Sequence, residues 1–262
     1  MRERPTILLL HGGPGFDHSI YKPRFGALTD VAQVVYLDLR GNGRSDASSP
    51  EHWNLAQWAD DVAAFCDELG VVSPVIYGAS FGGMVALSLA TRHPQLPGKL
   101  VLVSTECVGY SFLERRVELF EALGGPVVGD LARRRFVEGD TSPETLEQWV
   151  RLALPLYTQS PMSPDVISRG VRTPEVTEYF TKPGGEQRSF DFSAELGKIS
   201  CPVLVMSGAL DPMIPLESQE ALVSGIRPEL VRQVVFPNAG HGVVADAFDE
   251  AMDLIREFVT MA

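Results

Sequence analysis

The sequence predicts an α/β fold: a doubly wound, mostly parallel sheet with a helical segment inserted after its fourth strand. Three observations predict it. Short apolar runs alternate with helix-like stretches, the pattern of a parallel sheet covered on both faces. Four groups of small and polar residues each follow one of those runs, so they gather on one rim of such a sheet. Between residues 108 and 196 the alternation stops, and the chain becomes helical in flavour with many breakers.

Strands are expected near 6–10, 34–38, 75–78, 100–104, 203–207 and 232–236, each a short apolar run bounded by turn residues. Helices are expected near 21–28, 55–69, 81–91, 216–223 and 247–260, where apolar residues recur at helical spacing or fill the stretch. This divides the chain into a core of residues 1–107 and 197–262 and a helical cap of residues 108–196. The cap carries its breakers at Gly124-Gly125-Pro126, Pro155, Pro161, Pro164, Pro174 and Pro183-Gly184-Gly185. There is no internal repeat and no low-complexity tract.

The most informative stretch is Gly78-Ala79-Ser80-Phe81-Gly82. A serine between two glycines, just after a strand-like run and just before a helix-like one, sits on a tight turn that strains its backbone and brings neighbouring chain close. Gly78, Gly82 and Gly83 supply the lack of side chain that such a turn needs. Ser80 is therefore the candidate nucleophile. His11-Gly12-Gly13-Pro14-Gly15 follows the first run, Asp211 follows the fifth in Ser207-Gly208-Ala209-Leu210-Asp211-Pro212, and His241 follows the sixth in Pro237-Asn238-Ala239-Gly240-His241-Gly242.

In this arrangement the chain resembles the α/β-hydrolase superfamily, whose triad runs nucleophile, acid, histidine along the sequence. Ser80, Asp211 and His241 match that order, and His-Gly-Gly-Pro-Gly is most similar to the proline iminopeptidase and esterase branch. The turn Asp38-Leu39-Arg40-Gly41-Asn42-Gly43-Arg44-Ser45 is similar to one common there and reads as structural, its glycines and Asn suiting tight backbone geometry. Only residues 1–5 precede the first strand, so the leading hairpin of the superfamily sheet is missing or replaced. The edge it leaves is expected to take a dimer contact or a covering segment, making a homo-oligomer possible.

The chemistry follows from residue types. A serine hydroxyl is a weak nucleophile until a base takes its proton, and the neutral imidazole of His241 can do so near pH 7. Asp211 is placed to accept the other ring N–H and stabilise the imidazolium. The backbone N–H of Phe81 is the expected first oxyanion donor, and the resemblance places the second at Gly13. Glycine at 12 and 13 keeps side chains out of that space, while His11 reads as an anchor of the loop. His18, His52 and His93, in turn or helix-end contexts, read as surface or capping residues. Glu106 competes for the role of acid, since some superfamily members take it from the end of the preceding core strand. The turn Gly208-Ala209-Leu210-Asp211-Pro212 favours Asp211.

The substrate is expected to be a small molecule held under the cap. Gly12, Trp149, Leu156, Tyr157, Phe180 and Val243 form the expected pocket. The cap residues Phe112, Leu119, Phe120 and Leu152 either join that lining or pack the cap onto the core. The resemblance implies a carboxylic-ester or lactone hydrolase for small to medium acyl groups, or alternatively an aminopeptidase releasing N-terminal proline. The latter needs carboxylates for the substrate's cationic amine. The cap has Glu114, Glu118, Glu147, Glu175 and Glu178 but no Trp-Glu pair like the family's, and Phe81 stands where iminopeptidases tend to carry Trp. A carbon–carbon bond hydrolase or a non-catalytic ligand-binding module ranks lower, and epoxide hydrolases and dehalogenases of this fold need an aspartate at position 80.

Composition sets the outer bounds. A chain of 262 residues can bury a sizeable core without disulfides or metals. A formal charge of −12 argues against nucleic acid as a partner, and the one basic cluster, Arg133-Arg134-Arg135, reads as a solvated helix face. Cys66, Cys107 and Cys201 are odd in number, widely spaced and set in apolar or turn contexts, which fits reduced core residues in a cytoplasmic protein. No export signal, membrane-length run, metal cluster or cofactor fingerprint is present in the sequence, so no membrane, metal or cofactor is expected.

Overall fold

The computed structural model describes residues 4–161 and 164–261. Six strands form one all-parallel sheet: β1 (Thr6–Leu10), β2 (Gln33–Leu37), β3 (Val75–Ala79), β4 (Lys99–Val103), β5 (Val203–Gly208) and β6 (Val231–Phe236), in the order β2-β1-β3-β4-β5-β6. Successive strand residues face opposite sides, and both sides are apolar. Leu8, Leu10, Ile76, Leu100, Leu102, Val203 and Val205 enter one core, whereas Ile7, Leu9, Tyr77, Val101, Val103, Leu204 and Met206 enter the other. Strands buried on both faces must read as continuous apolar runs, which is why their sequence signal is strong.

Helices cover both layers. In α1 (Leu55–Glu68), Leu55, Trp58, Ala59, Val62 and Cys66 form the buried stripe, and Asn54 caps the N-terminus by accepting the Gln57 N–H at 2.8 Å. The helix after β3, α2 (Phe81–Arg92), is buried almost all round, as an element wedged between sheet and neighbours must be. Further along the chain, α8 (Leu216–Gly225), α9 (Val243–Asp246) and α10 (Phe248–Thr260) follow β5 and β6. The stretch expected as one helix at 21–28 is instead two 3₁₀ turns, His18–Tyr21 and Arg24–Leu28, with Pro23 between them. Proline removes the N–H and crowds the preceding turn that a continuous helix would need.

Between β4 and β5 runs a helical insert: α3 (Leu113–Gly124), α4 (Pro126–Ala132), α5 (Pro143–Gln148), α6 (Pro164–Arg169) and α7 (Pro174–Thr181). Four of these five helices begin at a proline, so the expected breakers Pro126, Pro164 and Pro174, and Pro143 with them, act as starters, occupying the one helical position where a missing N–H costs nothing. Two π-helical turns, Arg133–Val137 and Trp149–Ala153, follow α4 and α5. Val117, Phe120, Leu131, Phe136, Trp149 and Ala153 give the insert a small core of its own. A bridge between Val108 and Asp191 joins its two ends.

The strand β1 lies inside the sheet, between β2 and β3. The edge falls on β2, and no further strand pairs with it among the described residues. Cys66, Cys107 and Cys201 are free and buried, and burial pushes their thiols up to about 11. No helix among the described residues is long and apolar enough to cross a membrane.

Candidate active site

The turn from β3 into α2 places Ser80 at the carboxyl end of the sheet with φ 53° and ψ −120°, a conformation that strains any residue with a side chain. The turn is held at both ends: the Ser80 N–H donates to Val103 O at 2.9 Å, and Ser80 O accepts from Gly83 and Met84. Close approach explains the flanking glycines. A Cβ at Gly78 would sit 2.3 Å from Gly82 O, and one at Gly82 would sit 2.1 Å from Leu10 O.

The second part of the site is the loop after β1. His11 is fully buried, and its Nε2 accepts the Leu39 N–H at 3.2 Å, which leaves Nδ1 to face Gly12 O. Burial lowers its affinity for a proton, so the ring acts as a neutral peg. Asn42, from the 38–45 turn, accepts the Gly15 N–H at 2.6 Å, while Asp38 accepts from the backbones of His18 and Arg44. That turn is thus a clamp for the glycine loop. His18 is half-buried against Asp38 rather than a surface residue, and His93 caps α2 and meets Asp60. Neither the Gly13 N–H nor the Phe81 N–H has an acceptor among the described residues.

The third part comes from the turns after β5 and β6. The Asp211 carboxylate is buried. One oxygen accepts the N–H groups of Met213 and Ile214 at 2.8 and 3.0 Å, and the other accepts from His241 Nδ1 at 2.9 Å. With Nδ1 donating, His241 Nε2 keeps its lone pair. The two turns interlock: Leu210 N–H donates to Ala239 O, and a Cβ at Gly208 would lie 2.1 Å from Gly240 O. No hydrogen bond joins Ser80 Oγ to His241 among the described residues, so the imidazole and the carboxylate are paired while the alcohol stands apart.

Glu106, the competing carboxylate, is fully buried elsewhere. It meets Arg116 of α3 at 2.5 Å and accepts from Ser111 Oγ at 3.0 Å. Burial pushes its carboxyl upward against the pull of Arg116. Its charge is committed to the insert, and His241 faces Asp211.

The expected pocket residues separate. Tyr157 is in contact with the histidine: its ring lies edge-on to the imidazole at 5.6 Å, and its carbonyl accepts the His241 N–H at 2.6 Å. Trp149 is buried in the insert core and donates its indole N–H to Tyr157 Oη at 3.2 Å, with Leu156 packed on that core. Phe180 is buried in the main core against Trp58 and Phe81, and Val243 in the layer on the opposite face of the sheet. Gly12 lies beside the Ser80 Cβ. Tyr157 was expected; missed by sequence reasoning were residues 158–160 beside it and the packing of the 157–160 backbone on the His241 turn. These contacts use main-chain atoms, which leave no mark in residue type. Among the described residues no group of three or more His, Cys, Asp or Glu is arranged to hold a metal.

A family model described as alpha/beta hydrolase fold matches residues 5–248. The AB hydrolase superfamily protein YisY of Bacillus subtilis is 28% identical over 267 residues, covering 96% of this chain and 90% of the relative. A proline iminopeptidase of Clostridium botulinum is 27% identical over 224 residues, covering 81% and 76%. Among solved structures, an esterase from Thermogutta terrifontis aligns with a TM-score of 0.65 at 26% identity, covering 98% of this chain and 90% of that one.

Proposed function

The chain belongs to the alpha/beta hydrolase fold family, and from that premise we propose that it is a serine hydrolase working through an acyl-enzyme on carboxylic esters or lactones of small to medium acyl groups. The observation that carries this reading is the buried Asp211 carboxylate bonded to His241 Nδ1 at the same end of the sheet as the strained Ser80 turn. The Ser80 Oγ–H gives its proton to His241 Nε2 as the new O–C bond forms, and Asp211 stabilises the imidazolium. The unused N–H groups of Gly13 and Phe81 receive the oxyanion, each worth about 3–4 kcal/mol in the transition state. His241 returns the proton to the leaving alkoxide, and water repeats the sequence to release the acid. In unliganded sites such serine–histidine contacts are often long and tighten on substrate binding.

The insert acts in this reading as a cap over the serine, with Tyr157 above His241. An ester is favoured over a peptide with a free N-terminal amine because the insert carries no Trp-Glu pair like that of iminopeptidases and Phe81 stands where they tend to carry Trp. The aminopeptidase reading is kept as the second one because of the Clostridium botulinum relative. The three free buried thiols suit a reducing compartment, and we place the enzyme in the cytoplasm.

The deciding experiment compares turnover of a p-nitrophenyl ester series, a lactone and proline p-nitroanilide, with Ser80→Ala as the blank. Esters or the lactone should be hydrolysed and the blank should lose about 10³-fold or more. Strong anilide cleavage with negligible ester turnover selects the aminopeptidase, and absence of all three together with no fluorophosphonate labelling of Ser80 rejects the serine-hydrolase reading.

A further inference from the structure

The turn that carries His241 has one further ligand, and the insert shares it. The Asp246 carboxylate, at the end of α9, accepts three backbone N–H groups: Gly240 on Oδ2 at 2.8 Å, and Gln159 and Ser160 on Oδ1 at 3.0 and 2.8 Å. Gly240 precedes the histidine. Residues 157–160 form a strap at the inner edge of the insert, whose Tyr157 carbonyl in turn accepts the His241 N–H at 2.6 Å. Strap and turn are pressed together so closely that a Cβ on Gly240 would lie 2.4 Å from Tyr157 O, and one on Gly242 would lie 2.5 Å from Thr158 Cγ2. The carboxylate has no cationic partner among the described residues, so its whole accepting capacity serves these two pieces of backbone.

We propose that Asp246 is a positioning residue of the hydrolase: by binding the His241 turn with one oxygen and the strap of the insert with the other, it makes the seating of the insert and the aim of the imidazole a single event. This rests on Ser80 and His241 being nucleophile and base. The residue type matters. A carboxylate offers two accepting oxygens and no hydrogen, whereas an amide offers one oxygen and one NH₂. In an Asp246→Asn variant, therefore, either Gly240 or the strap must face a donor with a donor. Asp246→Glu keeps both oxygens on a stem longer by one methylene. The Asn variant removes half of the function at constant volume, and the Glu variant tests whether charge and two oxygens restore it.

The test uses the full chain and three readouts: the rate of Ser80 labelling by a fluorophosphonate, kcat and KM on a p-nitrophenyl ester, and the melting temperature. Asp246→Asn should lower the labelling rate and kcat in parallel by about 10- to 100-fold, the scale of a misplaced catalytic group, while KM changes little. Asp246→Glu should recover most of that loss. If Asp246→Asn lowers the melting temperature but labels Ser80 at the wild-type rate, the carboxylate is only a staple and the proposal fails. Should the Asn variant not fold, Gln159→Pro decides, since it deletes one strap donor and leaves the Gly240 bond. Thr158 already has the extended backbone (φ −130°, ψ 152°) that a following proline requires. Slower labelling in that variant supports the coupling, and an unchanged rate overturns it. A wild-type protein that neither labels nor turns over rejects the serine-hydrolase reading itself, a result separate from any effect of Asp246.

Discussion

The sheet with its covering helices and the insert between β4 and β5 are built by different means. In the sheet, each strand is paired along its length, and every second residue enters a large apolar layer, so geometry is fixed by burial that few single contacts control. The insert is a string of short helices and π-helical turns around a small aromatic core. It is tied to the rest by one helix, α7, whose Val176 and Phe180 enter the main core, and otherwise by separate polar contacts: Arg116 to Glu106, the Thr173 and Thr177 contacts to the glycine loop, and the strap on the His241 turn. Ser80, Asp211, His241 and Gly13 stand on turns that follow strands of the sheet, and Phe81 opens α2. The insert meets the His241 turn and the glycine loop largely through backbone hydrogen bonds. In the proposed reading, chemistry stands on the sheet layer and specificity on the insert, an arrangement that lets the second vary without moving the first.

The sharpest test of that division lies in the two buried carboxylates. Asp211→Asn keeps the shape of the turn but cannot hold the imidazole in the donating tautomer, and turnover should fall about 10⁴-fold with little change in melting temperature. Glu106→Gln should do the reverse. It leaves the Arg116 guanidinium, fully buried and already with one N–H group unpartnered, without its counter-charge, at a cost of about 3–5 kcal/mol. Activity on a p-nitrophenyl ester at a temperature where the variant stays folded should remain within about an order of magnitude of wild type, far above the tautomer loss at Asp211. A Glu106→Gln variant that is stable but inactive, beside an active Asp211→Asn, would move the acid to the junction with the insert.

The same contrast explains what could be read from the sequence. Strands such as Leu8–Leu10 with Ile7, and the run Val203–Met206, are legible because burial on both faces leaves no polar position to confuse the pattern. The positions of Ser80, Asp211 and His241 after β3, β5 and β6 were legible because each turn needs small residues where another backbone passes within van der Waals distance, as at Gly78, Gly82 and Gly208. The insert was not. Pro126, Pro143, Pro164 and Pro174 signal both a stop and a start. Arg116 gives no sign in sequence that it is fully buried, and the partner of Tyr157 O and the strap partners of Asp246 are backbone groups more than 80 residues away.

The insert's own core offers the next test. Phe120 is fully buried between Phe136, Trp149 and Tyr157. Truncation to Ala should cost the insert about 3–5 kcal/mol. If the insert is held independently, hydrogen exchange in Phe120→Ala should speed up across α3, α4 and the strap while amides of β3, β4 and β5 keep their protection. Uniform loss across the sheet would mean that the two regions melt as one unit, and the contrast would then be one of construction and not of stability.

The smallest effect is expected at α5, where an element of the insert hangs on one surface carboxylate. Asp140 accepts from Thr145 Oγ1 at 2.6 Å and from the Ser142 N–H at 2.8 Å, and these bonds to its charged form hold its carboxyl at about 2, against the usual 3.8. The folded state therefore binds this proton less readily than the unfolded one, so the contribution is full above about pH 4 and is lost as pH falls through about 2. Exchange of amides in Pro143–Gln148 should accelerate over that window in the wild type. In Asp140→Asn the segment should already exchange faster at pH 5, and the additional acceleration between pH 4 and 2 should disappear after correction for intrinsic exchange. Because the sheet's strands owe their protection to apolar burial, β3 and β5 should show no matching dependence on this residue. Equal acid sensitivity of α5 in the wild type and in Asp140→Asn would assign the effect to other carboxylates and remove this local tie from the account of how the insert is held.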